Sequence, residues 1–421
     1  MERYKMLDTL DDLRDALRRC NKCGFCQAGC PMYKVTGIEW NVARGRVALL
    51  RDALEGRTEL RPELEEPIYT CLTCNCCVDH CPPAVQTATI IQRARQELNH
   101  RYGQPLVQKL IFGNLLPRPE LMGAAVWTMR LGQLAGVTKL ASASRLLGDL
   151  GKAQDLLPKL PAKRGRDAIK PLLEKPVERP RARVAYFMGC AADLVSPEVA
   201  VSAVRVLIRQ GVQVEALSFA CCGKPPVAYG DVEGSRQLAR RNIDAVGDRT
   251  YDAIVTPCAT CSSYLKEYGE LLANDEGYHR RASAFASQVR DYSQFLADLG
   301  LVGEMREVKR RVTYHDPCHL GRFQKLPAPP RNLIRSVPGV DYTELPEANM
   351  CCGAAGSFSL SHYELSMKVL DRKMDNVART EADTVITSCP ACSMQLSYGA
   401  KRRHLPVHTM ELVQLLDEAL A

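Results

Sequence analysis

Eight cysteines in the first hundred residues use one spacing twice, and this repeat constrains the fold more than any other feature of the sequence. Each run reads C-x2-C-x2-C-x3-C-P, and the runs are Cys20, Cys23, Cys26 and Cys30, then Cys71, Cys74, Cys77 and Cys81. Three thiolates spaced this way can wrap three corners of a cubane from one tight loop, and the run is the bacterial [4Fe–4S] signature. The chain therefore has to form two tight cysteine loops here.

The fourth cysteine of each run lies before a proline turn that carries it to the other cluster. We assign one [4Fe–4S] cluster to Cys20, Cys23, Cys26 and Cys81. The second is assigned to Cys71, Cys74, Cys77 and Cys30. Structural zinc is the alternative, but zinc needs two cysteine pairs and no third thiolate in series. Cys76 is a spare inside the second run, and we expect a small buried or half-buried thiol there.

Two arginines, Arg44 and Arg46, lie in the long gap between the cysteine runs. One interpretation is that their positive charge raises the potential of a cluster by favouring its reduced, more negative form. The more ordinary interpretation is an exposed helix start. The sequence leaves both open.

The total of nineteen cysteines in 421 residues is odd and leaves no complete set of disulfide pairs. Residues 1–17 carry charges throughout and lack the apolar core of a secretory signal, so we expect a cytoplasmic protein. In a reducing cytosol, many cysteines indicate metal or redox chemistry. No stretch reaches the roughly 18 apolar residues of a spanning helix.

Helical and strand patterns predict an α+β multidomain chain. Residues 1–100 show helical spacing, whereas the texture from residue 183 onward is α/β. The predicted parts are an α-helical ferredoxin domain at 1–100, a basic helical linker at 101–182, and two α/β cysteine-rich repeats at 183–305 and 306–421. A charged, proline-marked hinge is predicted at 171–180, near the start of the first repeat.

The part of the linker from Arg101 to Arg166 accounts for the whole net charge of +8, because it contains eleven basic and only three acidic residues. Helical pieces with a wide apolar face are predicted within 104–160. Packing against its own domain or a partner subunit is one interpretation, and peripheral contact with the inner face of the cytoplasmic membrane is the other. No helix-turn-helix or RNP-like motif accompanies the charge, so nucleic-acid binding is not predicted.

The second half of the chain contains a tandem repeat. Strands predicted at 184–188 and 253–256 recur at 312–315 and 384–387, and three cysteines recur at offsets of 128, 130 and 131. Set one is Cys190, Cys221, Cys222, Cys258 and Cys261, and set two is Cys318, Cys351, Cys352, Cys389 and Cys392. All follow predicted strands or lie in turns, so one rim of each sheet could bring five thiols together.

Two local features bear on these sets. Adjacent cysteines normally point apart, and they can share a site only where the backbone kinks, which Gly223 and Gly353 after each pair permit. His315 and His319 flank Cys318. Proton donation near a cluster is open to them, but a satisfied polar contact is the commoner arrangement for histidine.

The repeat resembles the cysteine-rich CCG family of heterodisulfide reductases and of the iron–sulfur subunits of glycolate and glycerol-3-phosphate dehydrogenases. The stretches that carry the resemblance are YHDPCHLGR at 314–322 and CCGAAG at 351–356. The whole chain is most similar to glycolate oxidase iron–sulfur subunits. These share the two cysteine runs, Arg44-Gly45-Arg46, CLTC at 71–74, KEYG at 266–269 and the run from 361 to 374.

This resemblance implies an iron–sulfur subunit that carries electrons from an FAD-containing partner to a quinone or another carrier. The partner would oxidise a 2-hydroxy acid such as glycolate or D-lactate, so no catalytic residue is assigned here. The resemblance also implies one or two further clusters in sets one and two, of the noncubane [4Fe–4S] type in heterodisulfide reductases. The completeness of both sets keeps a second interpretation open, a heterodisulfide reductase-like subunit that reduces a disulfide at these clusters.

Overall fold

A computed structural model describes residues 13–136 and 156–420. Its first part, which we call the head (residues 13–102), is helical, as predicted. The helices are α1 (Arg14–Arg18), α2 (Cys26–Gly29), α3 (Pro31–Thr36), α4 (Ala43–Leu54), α5 (Glu65–Tyr69) and α6 (Thr87–Tyr102), with 3-10 turns at Glu39–Asn41 and Pro62–Leu64. The apolar faces of α4 and α6 meet through Val47, Leu50 and Ile91, which form the buried core of the head.

The linker contains α7 (Leu106–Leu110), a π-helical turn (Ile111–Leu115), α8 (Pro119–Leu134) and α9 (Gly165–Leu173). The prediction of a hinge at 171–180 is wrong for its first residues, because α9 continues through Pro171 to Leu173. Burial of Ile169 in the core of the repeats outweighs the proline penalty. No helix within the described ranges has the length and hydropathy needed to cross a bilayer. The predicted helical pieces at 137–155 lie outside the described residues.

The two repeats contain eight strands. Repeat one comprises β1 (Ala182–Tyr186), α10 (Cys190–Leu194), α11 (Pro197–Arg209), β2 (Val212–Ala216), α12 (Lys224–Ala228), α13 (Val232–Val246), β3 (Ala253–Thr256), α14 (Ala259–Leu265), α15 (Tyr268–Leu271), α16 (His279–Gln288), β4 (Val289–Asp291) and α17 (Tyr292–Leu299). Repeat two comprises β5 (Arg310–Tyr314), α18 (Cys318–Gly321), α19 (Ala328–Arg335), β6 (Val340–Tyr342), α20 (Phe358–Ser361), α21 (Tyr363–Arg379), β7 (Thr384–Thr387), α22 (Pro390–Arg402), β8 (His408–Glu411) and α23 (Leu412–Ala419).

Each repeat forms one parallel four-stranded sheet, and the strand orders, β2-β1-β3-β4 and β6-β5-β7-β8, are equivalent. In both sheets the first strand lies between the second and the third, as in the pairing of Val184 with Val214 and Ala253. The predicted tandem repeat is therefore confirmed. Strands β3 and β7 coincide with the predicted ranges, whereas β1 and β5 begin two residues earlier and end sooner than predicted.

The repeats pack on each other reciprocally. Helix α11 of repeat one contacts α23 of repeat two, and α19 of repeat two contacts α17 of repeat one, which is the pattern of a pseudo-two-fold pair. Asp417 accepts hydrogen bonds from Ser202 at 2.9 Å and Arg209 at 2.8 Å. Both apolar cores of this region contain residues of both repeats. The two sheets thus form one body with their cysteine-bearing ends brought near each other.

The head docks on both repeats. On repeat one, the Arg95 guanidinium donates to the carbonyl oxygen of Ala228 at 2.6 Å. On repeat two, Glu347 Oε1 lies 2.9 Å from Lys34 Nζ of the head. Also on repeat two, Arg322 Nε lies 2.7 Å from the carboxylate of Asp79 in the head. These contacts fix the position of the head over the repeats.

Glycines after the paired cysteines have the backbone conformation that the sequence required. Gly223 and Gly353 both have φ of +91°, in the left-handed region that glycine adopts without penalty. A Cβ on Gly353 would lie 2.8 Å from the carbonyl oxygen of Ser366. The kink and the close backbone approach both require glycine.

We expect Gly353→Ala to destabilise the chain more than Gly356→Ala. Gly356 is the matched control, because its φ is +70° and a Cβ there would meet nothing within 4 Å. Both variants carry a cost of roughly 1–2 kcal/mol for a left-handed residue, but only Gly353→Ala also presses a Cβ against a backbone oxygen. Urea unfolding followed by circular dichroism, at matched iron content, measures the difference. Equal losses would contradict the close approach.

Candidate metal centres

The first head cavity is lined by the thiols of the first predicted set. Cys20, Cys23, Cys26 and Cys81 surround an empty volume of about 380 Å³, with Cys77 also at its wall. Helix α2 begins at Cys26, and the turn after Cys81 brings the fourth thiol back to the loop of the first run. Four thiols around a closed space form a donor set that fits an iron–sulfur cluster. Their role as ligands stays a prediction.

The second head cavity is lined by the other predicted set. Cys71, Cys74, Cys77 and Cys30 surround about 350 Å³ of empty volume, and the spare Cys76 lies at the same wall. Burial raises the pKa of the Cys30 thiol to about 11, and the nearby Arg46 opposes that shift. The donor chemistry again fits an iron–sulfur cluster. Cys76 is 1% exposed, as expected for a buried thiol.

Two arginines of the sequence Arg44-Gly45-Arg46 line different head cavities. Arg46 lines the second cavity, is 2% exposed, and donates from Nε to the carbonyl oxygen of Pro67 at 2.6 Å. Arg44 lines the first cavity and donates from Nη1 to the carbonyl oxygen of Lys22 at 3.3 Å. An exposed helix start is therefore the wrong interpretation for Arg46. The Arg46 guanidinium places positive charge beside a thiol cavity, where it would favour the more negative state of a bound cluster. The charge of Arg44 is paired with the carboxylate of Glu39.

Set one collects at the carboxyl ends of the strands in repeat one. Cys190 follows β1, Cys222 follows β2, and Cys258 follows β3. Thiol contacts link its members in the order Cys190, Cys221, Cys222, Cys261 and Cys258. The structure thus brings together all five thiols of the set, as predicted for one rim of the sheet.

Set two has the equivalent arrangement in repeat two. Its thiol contacts run in the order Cys318, Cys351, Cys352, Cys392 and Cys389. Hydrogen bonding from Cys351, with a smaller effect of His319, lowers the pKa of Cys318 to about 5. A thiol that ionises this readily is prepared to act as a metal ligand, because the thiolate is the ligating form.

The head and the two sets are joined by two further thiol contacts. Cys74 of the head contacts Cys351 of set two, and Cys389 of set two contacts Cys258 of set one. We call this succession, from the second head cavity through set two to set one, the thiol line. The sequence did not reveal these contacts, since nothing in the local motifs indicates which set lies against the head.

His315 distinguishes set two from set one. Its ring nitrogen and the sulfurs of Cys352 and Cys392 lie within 4.8 Å of one another, an arrangement able to hold a metal ion. The residue is 1% exposed, and neither ring nitrogen has a nitrogen or oxygen hydrogen-bond partner among the described residues. The ring hydrogen-bonds the thiol of Cys352, so a polar contact and proton donation both stay open for His315. Its counterpart in repeat one, at the offset of 128, is Phe187. His319 lies with Nδ1 3.5 Å from Cys318 Sγ.

Three family profiles match segments of the chain. The 4Fe-4S dicluster domain matches residues 16–85, and the cysteine-rich domain matches residues 184–266 and 312–397. Between them, the linker region of the glycolate oxidase iron-sulfur subunit matches residues 103–157. These profiles support iron–sulfur clusters in the head and the repeats.

Relatives match over nearly the full length. A probable glycolate oxidase iron-sulfur subunit of Bacillus subtilis (strain 168) is 31% identical over 417 residues, covering 96% of this chain and 94% of the relative. The glycolate oxidase iron-sulfur subunit of Escherichia coli (strain K12) is 28% identical, covering 94% and 93%. A dihydromethanophenazine:CoB–CoM heterodisulfide reductase chain of Methanosarcina barkeri is 26% identical, covering 96% and 94%. The chain therefore belongs to the family of glycolate oxidase iron–sulfur subunits.

Proposed function

We propose that this chain carries electrons from an FAD-containing partner subunit to a quinone or another carrier. The partner would oxidise a 2-hydroxy acid such as glycolate or D-lactate. The observation that supports this proposal best is the thiol line, because it joins the head to both cysteine sets through neighbouring thiols. The names of the Bacillus subtilis and Escherichia coli relatives agree with the proposed substrate class.

The cysteines would hold four clusters, two of the [4Fe–4S] type in the head cavities and one in each set, of the noncubane type. Bound clusters supply one-electron redox chemistry. The protein's part is to place these sites close together and to exclude water. Eight of the ten cysteines in sets one and two are buried. Arg46 adds positive charge at the second head cavity.

The first head cavity is the proposed place at which the flavin partner docks. Among the nineteen cysteines, all of which the structure describes, Cys23 is the one exposed thiol. Phe25 and Trp40 are 61% and 48% exposed nearby in the chain, which gives this face an apolar character. Large exposed aromatic side chains are enriched at protein interfaces. Electrons would then pass from the first head cavity to the second, and along the thiol line.

Nineteen cysteines, none of them in a disulfide, suit a reducing cytoplasm, which is the proposed location of the protein. Peripheral contact with the inner face of the membrane is part of the proposal, because Leu106, Trp127 and Leu134 of the linker are 82%, 54% and 68% exposed. A basic surround such as that of the linker attracts anionic lipids.

Disulfide reduction by the chain itself is the second candidate function. It is favoured by the contact between Cys258 and Cys389, which brings two complete five-thiol sets together at one place. The heterodisulfide reductase relative agrees with it. Turnover of a disulfide by the isolated chain with reduced viologen would support this candidate against the first.

We expect anaerobically purified protein to contain about sixteen iron atoms and as much acid-labile sulfide, since four clusters of four iron atoms are proposed. We also expect glycolate or D-lactate to bleach the visible absorbance of the chain only when the FAD partner is present. About eight iron atoms would restrict the clusters to the head. Reduction of the chain by the hydroxy acid without the FAD partner would contradict the proposal that the partner oxidises the substrate.

Crossed ligation in the head predicts opposite effects for Cys30 and Cys81. In a chain whose Cys20, Cys23 and Cys26 are alanine, the surviving head cluster depends on Cys71, Cys74, Cys77 and Cys30. Adding Cys81→Ala should leave its EPR signal unchanged, whereas adding Cys30→Ala should abolish or alter it. The reverse result would show that each run of four serves its own cluster. Iron content of each variant provides the control for loading.

A further inference from the structure

A third cavity, which we call the outer cavity, opens beside set one. It comprises about 1110 Å³ of space, part of it open to solvent, and reaches Cys190 and Cys221. Apolar side chains dominate its lining, among them Met188 and Phe219 from repeat one and Met122 from the linker. Cys190 and Cys318 are the only cysteines of the two sets that are not buried. The outer cavity is therefore a route from outside to a thiol of set one.

A buried phenol lines the outer cavity without a partner. Tyr186 is 1% exposed, and its hydroxyl has no hydrogen-bond partner among the described residues. Burying an O–H group unpaired is costly, so a group of this kind indicates a missing acceptor. Its counterpart in repeat two, Tyr314, has a partner, because its hydroxyl lies 3.2 Å from Ser388 Oγ. Of these two equivalent tyrosines, only Tyr186 of repeat one therefore has an unpaired hydroxyl.

The repeat symmetry relates the outer cavity to the surface that the head covers. At the offset of 130, Leu217 and Cys221 of the cavity correspond to Glu347 and Cys351 of repeat two. Glu347 pairs with Lys34 of the head, and Cys351 contacts Cys74. The same face of the fold is covered by the electron-donating head in repeat two, whereas in repeat one the linker borders it and leaves the outer cavity. Repeat one is therefore the end of the thiol line that a separate carrier can reach.

We propose that the outer cavity binds a quinone, with a ring carbonyl accepting the hydrogen bond that the Tyr186 hydroxyl offers. This inference rests on the proposed function, which supplies the electrons. Charged side chains, Glu120, Arg166, Lys170 and Asp193, also line the cavity. Its larger apolar part with one buried O–H donor suits a flat, uncharged ring that carries carbonyl oxygens. The reaction balances: the 2-hydroxy acid loses two electrons and two protons to become a 2-oxo acid, and the quinone gains two electrons and takes two protons from water to become a quinol.

Binding of decylubiquinone to the full, iron-loaded chain tests the site by equilibrium dialysis. This quinone has a fully substituted ring, so cysteines do not add to it. Tyr186→Phe removes only the hydroxyl and should weaken binding by about three- to tenfold. Ser218→Trp fills the cavity from an exposed lining position and should abolish binding. Tyr314→Phe, the matched control in repeat two, should bind as the wild type does.

Wild-type affinity in both Tyr186→Phe and Ser218→Trp would overturn the assignment, as would an equal loss in Tyr314→Phe. Circular dichroism and iron content should be unchanged in all three variants, so a folding defect is recognised. Reduction of the chain by glycolate in the presence of the FAD partner tests the proposed function separately. If glycolate fails to reduce the chain, the proposed function is removed, while quinone binding by the variants still decides the site. If glycolate reduces the chain but the cavity variants bind decylubiquinone as the wild type does, only the quinone site is removed.

Discussion

The contact between Cys74 and Cys351 is the interaction on which the rest of the account depends. Electrons pass between buried centres only over short distances, so the head can serve the repeats only if one of its cavities adjoins one of their sets. The thiol of Cys74 lines the second head cavity and meets set two. Nearby, Arg322 of repeat two pairs with the carboxylate of Asp79 of the head, and their side chains are 8% and 44% exposed. The position of the head thus brings set two, rather than set one, next to a head cavity.

Duplication explains why the two ends of the thiol line differ although the folds are the same. Both sheets have the same strand order, and both cysteine pairs are followed by a glycine with φ of +91°. The side chains at equivalent places have diverged. His315 lies beside the thiols of set two, whereas Phe187 occupies the equivalent position in repeat one. In repeat two the head covers the face whose counterpart in repeat one forms the outer cavity. The two copies of the repeat therefore have the same fold but different surroundings for their cysteine sets.

Local sequence patterns were sufficient for the features that depend on neighbouring residues. The two cysteine runs, the strands β3 and β7, the tandem repeat and the glycine kinks all follow from spacing within one segment. Other features depend on residues far apart in the chain. The burial of Arg46 arises from acceptors such as Pro67, and α9 passes through Pro171 because Ile169 is buried against the repeats. No spacing rule indicates such long-range packing. The contact of Cys74 with Cys351 could not be predicted for the same reason, because the two residues lie far apart in the chain.

The order of the sites can be measured in the complex with the FAD partner by freeze-quench EPR after mixing with glycolate. One variant lacks Cys351 and Cys352 of set two, and the other lacks Cys221 and Cys222 of set one. We expect that loss of set two leaves the head reducible and stops reduction of set one. Loss of set one should leave both the head and set two reducible. Reduction of set one at the wild-type rate without set two would contradict the account.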